Sequence, residues 1–482
     1  MYKFILLTFL STIIGNAAAL QSEKELTNKE LLQEINSLKK ELQELKQSTQ
    51  ENREELEDIS DFTEDIEATL LKDKIEFGLG FKTNLDNFNK KYSNGEHVRN
   101  NNIWSNKLML NMKADITDNM KFYGKLSMYK YWGSSAIHPY TYYDNMQGRV
   151  PSDSSIYAER AYLNWFFYKD SAFPMALTIG RLPTSDGPSH QFKDNTVRKG
   201  TYTALLFDGV ADGIVFTTNI SKLLHNKNSY IRLGYSKGYG HTESSQTAGN
   251  AFIGASNSDI DDTNVVGIFL DTPLPNVKNS LVQLTYSRMF DIVANPLDTN
   301  ISATGANDNI GSLDLLGAMV ELTNFKETNL DLFAQFGYSI AHPNGTSYML
   351  PNGELVGLLG KDGDTSTKSG YSTWVGGRYG FGEKQKYKVG LEYNYGSQNW
   401  INLTQGGFDI YNKLATRGNA YEAYMMYVIN RNANIRLGYI NIDYNYSRSG
   451  WFVGEAQKIS TVDSADVVER LQSVYLKMNV HF

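Results

Sequence analysis

The sequence predicts an all-β transmembrane barrel of about 16 antiparallel strands, preceded by an N-terminal α-helical coiled coil. Three observations carry this reading. The last ten residues alternate without a break, with Val474, Leu476, Met478, Val480 and Phe482 on one face and Ser473, Tyr475, Lys477, Asn479 and His481 on the other. From residue 74 onward, segments of period two are separated alternately by short and long connections. The composition, with 31 Tyr, 23 Phe and 40 Gly against 10 Pro, suits strands, turns and interfacial aromatics.

The chain of 482 residues is long enough for several small domains or one large barrel. A hydrophobic content of 41% excludes a bundle of membrane helices. The absence of Cys excludes disulfide scaffolds, thiolate metal sites and Cys nucleophiles. A net charge of −7 gives no nucleic-acid footprint.

Residues 1–19 carry Lys3, an apolar run over 4–14, and Ala17 and Ala19 at the positions that signal peptidase reads. The run is short for a membrane span, so a cleaved signal peptide is expected over 1–19.

Residues 20–72 are expected to form a periplasmic coiled coil. Leu31, Ile35, Leu38, Leu42, Leu45, Thr49, Asn52, Leu56, Ile59, Thr63, Ile66 and Leu70 alternate spacings of four and three, an unbroken a/d stripe. One helix cannot bury that stripe alone, so self-association is expected, with a homotrimer as the favoured state. Residues 22–72 hold 15 acids and 7 bases, so the acidity sits here and residues 73–482 are charge-balanced.

The barrel is expected over 73–482. Its strand candidates are 74–82, 103–115, 119–131, 156–168, 173–181, 208–219, 229–237, 264–271, 279–289, 311–322, 329–339, 370–381, 386–395, 419–430, 432–443 and 469–482. Ile75, Phe77, Leu79 and Phe81 oppose Glu76, Gly78, Gly80 and Lys82. Leu330, Leu332, Ala334 and Phe336 oppose Asp331, Gln335 and Gly337, with Phe333 as an exception. The 208–219 candidate is poorly phased. Long connections are expected at 83–102, 132–155, 182–207, 238–263, 290–310, 340–369, 396–418 and 444–468. A compact soluble domain rarely carries so many, whereas short turns alternating with long outer loops are the layout of a membrane barrel. An even strand count predicts pairing of the first strand with the last, leaving no edge.

The layout of signal, coil and aromatic-ended barrel resembles Gram-negative general and phosphate-selective porins. The stretch Gly180-Arg181-Leu182-Pro183-Thr184-Ser185-Asp186-Gly187-Pro188 looks like an uncharacterised porin-like family catalogued only as a domain of unknown function. The similarity covers nearly the whole mature chain. It implies an outer-membrane porin, with outer-membrane lipid as its surroundings and the terminal aromatic strand as an assembly signal, and it supplies no assigned ligand.

In sixteen-stranded porins the third long loop folds into the lumen, which here is 182–207. Its candidate constriction residues are Asp186, His190, Lys193, Asp194, Arg198 and Lys199, because charge at a narrow passage sets ion selectivity. Alternation places Lys107, Lys113, Lys125 and Arg160 on the adjacent lumen wall, a basic strip that would favour anions weakly. Glu76, Asp115, Asp331, Glu392 and Glu422 face inward by the same reasoning. Tyr129, Tyr131, Trp132, Tyr393, Tyr395, Tyr439 and Tyr444 lie near strand ends and suit an aromatic belt. The acidic turns 259–263 and 361–365 do not match a calcium-loop spacing, so no metal is expected. No nucleophile elbow or phosphate loop stands out, so no catalytic residues, enzyme activity or cofactor are expected.

The expected function is passive diffusion of small hydrophilic solutes and ions. The alternative is a structural tether or adhesin, in which the coil links the outer membrane to the cell wall.

Overall fold

The computed structural model describes residues 35–43, 45–46, 75–132, 154, 156–239, 263–293, 309–350, 352–404 and 410–482. The chain divides into two compact units, Met1–Lys74 and Ile75–Phe482. In the first unit the described residues, 35–43 and 45–46, are helical, and Ile35, Leu38, Leu42 and Leu45 of the predicted stripe are exposed. The signal peptide and the rest of the coiled coil lie outside the described residues.

The second unit is a closed antiparallel barrel of 16 strands. Its first eight are β1 (Ile75–Tyr92), β2 (His97–Thr117), β3 (Met120–Tyr131), β4 (Tyr157–Phe167), β5 (Met175–Arg181), β6 (Asp212–Asn219), β7 (Tyr230–Tyr239) and β8 (Thr263–Thr272). The others are β9 (Ser280–Phe290), β10 (Gly311–Leu322), β11 (Leu330–Pro343), β15 (Lys368–Phe381), β16 (Tyr387–Gly396), β17 (Gly418–Asn430), β18 (Ala433–Tyr444) and β19 (Val468–His481). Three short strands, β12 (Tyr348–Met349), β13 (Leu355–Gly357) and β14 (Gly360–Lys361), form a separate small sheet within the connection from β11 to β15. Among the described residues no helix is long and apolar enough to cross a membrane; the crossing elements are strands.

Closure is by the predicted pair. β1 and β19 run antiparallel from Gly80 opposite His481 to Tyr92 opposite Val468. Phe482 exchanges two backbone hydrogen bonds with Leu79, each 3.0 Å. The terminal aromatic residue thus completes the ladder and removes the edge.

Two predicted boundaries are corrected. Residues 83–102 are not a long loop: β1 and β2 continue through them and turn at 93–96, where Gly95 has φ of 85°. The polar run from Asn84 to Lys91 hid a strand, while Asn94-Gly95 is the turn signal. The poorly phased candidate at 208–219 becomes β6 only from Asp212, because the chain before it still belongs to the loop inside the barrel.

Side-chain direction follows the pleat. Phe77, Leu79, Leu108, Ile214, Leu233, Leu284, Leu316, Leu391, Leu437 and Val474 are exposed on the outside. Such an apolar exterior is stable only under lipid, so the barrel is built to span a membrane. Trp132, Tyr393 and Tyr395 lie on this outer side towards the strand ends, Tyr439 lies on it in the middle of β18, and Trp132 stacks on Trp104 at 5.0 Å. Tyr129 departs from the belt expectation. It is 1% exposed and points inward beside Lys107. Tyr444 also departs, packing against the inward Ile440 and Ile442.

The inside is not uniformly wet. Leu205, Leu206, Ile292, Ile310, Leu313, Leu315, Phe333, Trp374, Trp400 and Phe452 form one buried apolar cluster between the inner wall and the infolded connections. Phe333, the exception to the alternation of β11, lies 4.6 Å from Trp374 and 6.0 Å from Phe192. Inward apolar residues on β10, β11 and β15 thus hold loops within the barrel by hydrophobic burial.

Candidate functional site

The connection from β5 to β6, residues 182–211, runs inside the barrel. Its two limbs meet tightly at Gly187, where an added Cβ would lie 2.3 Å from the Tyr202 carbonyl oxygen. Asp186, Ser189 and Asn195 have positive φ, which bends the chain around one short helix, α1 (His190–Asp194).

The barrel wall satisfies what so short a helix leaves open. Glu321 accepts hydrogen bonds from the Ser189 backbone N–H at 2.9 Å and from the Gln191 side chain at 2.5 Å. At the other end, the last carbonyls of α1 have no intrahelical donors. Arg378 donates to Phe192 O at 2.5 Å, Arg436 donates to Lys193 O, and Asn434 and Asn479 donate to Asp194 O at 3.0 and 2.9 Å. Arg378 is itself fixed by Asp331 at 2.6 Å. Side chains from β10, β15, β18 and β19 therefore grip one helical turn.

The predicted charges divide into anchors and exposed groups. Lys193 lies 3.2 Å from Glu422 and 3.6 Å from Glu392, and these carboxylates are shared with Lys413 from the connection between β16 and β17. Asp194 pairs with Lys82 at 2.5 Å and faces Arg436 at 3.9 Å. The cations Lys82 and Arg436 hold the Asp194 carboxyl below the usual range despite its burial. His190 faces Asp208 at 3.7 Å, and burial lowers its pKa. Arg198 and Lys199 are exposed and form no ion pair among the described residues. The Lys199 side chain reaches solvent but is enclosed by the barrel wall, and the weaker solvation of its ammonium there, and then the neighbouring Lys82, push it down to about 8.

The predicted wall residues are inward, but their strip is partly neutralised. Lys107 and Lys125 both reach Glu159, at 3.0 and 2.8 Å. Lys125 and Arg160 meet Asp186 at 3.3 and 3.5 Å, and Arg160 also donates to the Ser185 carbonyl at 2.7 Å. Lys113 pairs with Glu76 at 3.0 Å near the opposite end of these strands. Sequence reasoning missed Glu159. The pairing register jumps between Lys125 opposite Arg160 and Leu126 opposite Ala158, so Glu159 is the extra residue of a β-bulge. The bulge turns two successive residues inward, which strict alternation forbids. Lys82, also missed, belongs to the recognised inward face of β1.

Around the loop, Lys82, Lys107, Lys125, Arg160 and Lys199 thus face Glu159, Asp186 and Asp194. Among the described residues no three His, Cys, Asp or Glu side chains gather as a metal ligand set. Among the described residues the arrangement offers fixed charge, most of it buried in ion pairs, with Arg198 and Lys199 exposed.

Residues 97–482 match a protein family described as "Protein of unknown function (DUF3373)", and the chain belongs to that family. No curated protein matches the sequence. Solved structures similar to it include OprB of Pseudomonas putida, at 12% identity over 85% of this chain and 94% of that one, with a TM-score of 0.45. The outer membrane channel DcaP of Acinetobacter baumannii matches at 10% identity over 85% and 97%, with a TM-score of 0.45. The trimer form of the outer membrane protein OmpT of Vibrio cholerae matches at 10% identity over 85% and 99%, with a TM-score of 0.42.

Proposed function

We propose that this chain, a member of the DUF3373 family, is an outer-membrane porin that lets small hydrophilic solutes and ions diffuse passively. The observation that carries the reading is the anchored loop 182–211 inside a closed barrel with an apolar exterior and charged groups along its inner wall. A polar lumen replaces the dehydrated crossing of lipid, and the loop is where passage is narrowest. We read Asp186, His190, Lys193, Asp194, Arg198 and Lys199 as the constriction, with Lys193 and Asp194 fixing its position and Arg198 and Lys199 facing the solute.

Anion preference is weak in this reading. Lys82, Lys107, Lys125, Arg160, Lys199 and Arg436 face Glu159, Asp186 and Asp194, Arg198 adds one more positive group, and Asp208 and Glu321 against the loop offset part of that excess. The exposed Ile35, Leu38, Leu42 and Leu45 favour assembly through residues 20–72, with a trimer as the proposed state.

Planar-bilayer recording of the refolded mature protein across a KCl gradient tests the proposal. Stepwise conductance with a reversal potential on the chloride side is expected. Folded, inserted protein that never conducts refutes the porin reading. A fragment of residues 21–72 that sediments as a monomer at high concentration refutes assembly through the coil.

A further inference from the structure

A second site lies between the returning limb of the inner loop and the inner face of β6–β9. It is an apolar cleft of about 100 Å³, lined chiefly by Val215, Phe269, Met289, Tyr202, Phe207 and Leu403. Tyr202 meets Phe269 edge-on at 4.6 Å and Phe207 lies 6.2 Å from the same ring, so the walls are already braced. At the rim, the Thr184 hydroxyl is spent on the Gly209 carbonyl at 2.6 Å, and Ser236 adds one more hydroxyl.

Two glycines keep the cleft open, and nothing local requires them. Neither Gly209 nor Gly234 has a left-handed φ. An added Cβ at Gly234 would find Val215 at 3.5 Å and Phe269 at 3.6 Å, and at Gly209 only the Leu403 oxygen at 3.7 Å. These are ordinary contacts, so a side chain would fit at either position. Gly267 differs, because a Cβ there would lie 2.7 Å from the Phe269 ring. Glycine inside a strand weakens it, and Gly234 sits mid-strand in β7, opposite Val215 and Gly267. What the two bare positions contribute is space bounded by carbon.

We propose that this cleft binds an apolar molecule, or the apolar end of an amphipathic one, about the size of a benzene ring. Apolar cavities of roughly 150 Å³ stay dry and accept benzene, and a concave, largely apolar pocket with few polar groups is the usual form of a small-molecule site. The site stands independently of the conduction reading, because it requires only the packed loop and wall.

The test is a ¹⁹F NMR titration of fluorobenzene into full-length protein in lipid nanodiscs, beside Gly234→Val and Gly209→Val. Lipid uptake is linear and common to all samples. The wild type should add one saturable site per chain, weakened at least tenfold by each substitution. Linear uptake alone in the wild type, or a saturable site that both folded variants keep, overturns the proposal. A second measurement needs no variant. Crystals of the wild type soaked in bromobenzene should show an anomalous bromine peak between Val215 and Met289, and its absence there also overturns the proposal.

Discussion

Replacing Lys413 with Met probes how the lumenal loops are held. Lys413 is 2% exposed and lies 2.6 Å from Glu392, with Glu422 closer still. Lys193 brings a second ammonium to the same two carboxylates. The cluster therefore balances two cations against two anions. Trp374 Nε1 donates to Glu392 at 3.0 Å and the Tyr475 hydroxyl donates to Glu422 at 2.5 Å. Lys413→Met leaves two buried carboxylates to one cation. Breaking a buried pair from one side costs about 3–5 kcal/mol, and at 1.4 kcal/mol per tenfold this is roughly a hundred- to several-thousand-fold in the docked-to-undocked ratio. The barrel ladder is untouched, so the loss should fall on the connection between β16 and β17. Hydrogen exchange of residues 410–417 in the folded barrel reads it directly. The double variant Lys413→Met/Glu422→Gln keeps Lys193 with Glu392 and should recover much of the protection. Wild-type protection in the single variant, or a double variant that loses the sum of both single losses, would refute charge balance as the cause.

Three further outcomes are expected. Lys199, pushed down to about 8, is charged below that pH and neutral above it; anion preference in bilayer recordings should therefore fall between pH 7 and pH 9, and Lys199→Met should flatten the profile. Neutralising Arg198 and Lys199 should shift the reversal potential while leaving the fold intact, whereas Lys193→Gln should instead speed proteolysis of the inner loop, since Lys193 is an anchor. Phe333→Ala should weaken loop packing against Trp374 and Phe192 by about 3–5 kcal/mol, read as faster exchange at Leu205 and Leu206; unchanged exchange would separate that aromatic cluster from loop docking.

The architecture was legible because the membrane imposes a regular pattern. Apolar-out alternation and the C-terminal strand placed the 16 strands and their closure, while connection length failed at 83–102, where polar residues continue β1 and β2. What was harder to read lies where the inside of the barrel is not water. Phe333 looked like a flaw in β11, yet it belongs to the cluster that seats the inner loop. Val215 blurred the phase of β6 because it lines the apolar cleft. An inward apolar residue in a membrane barrel therefore carries information: it has a protein partner inside, or it borders a cavity. Charge was misread for a related reason. Lys107, Lys125 and Arg160 point inward as alternation requires, but a one-residue bulge adds Glu159 among them and shifts the two-residue period by one, which the sequence shows only as the adjacent charges Glu159 and Arg160. Lys107 and Lys125 of the basic strip thus pair with Glu159, and in the proposed porin the selectivity that strip suggested would rest on the exposed Arg198 and Lys199 of the loop.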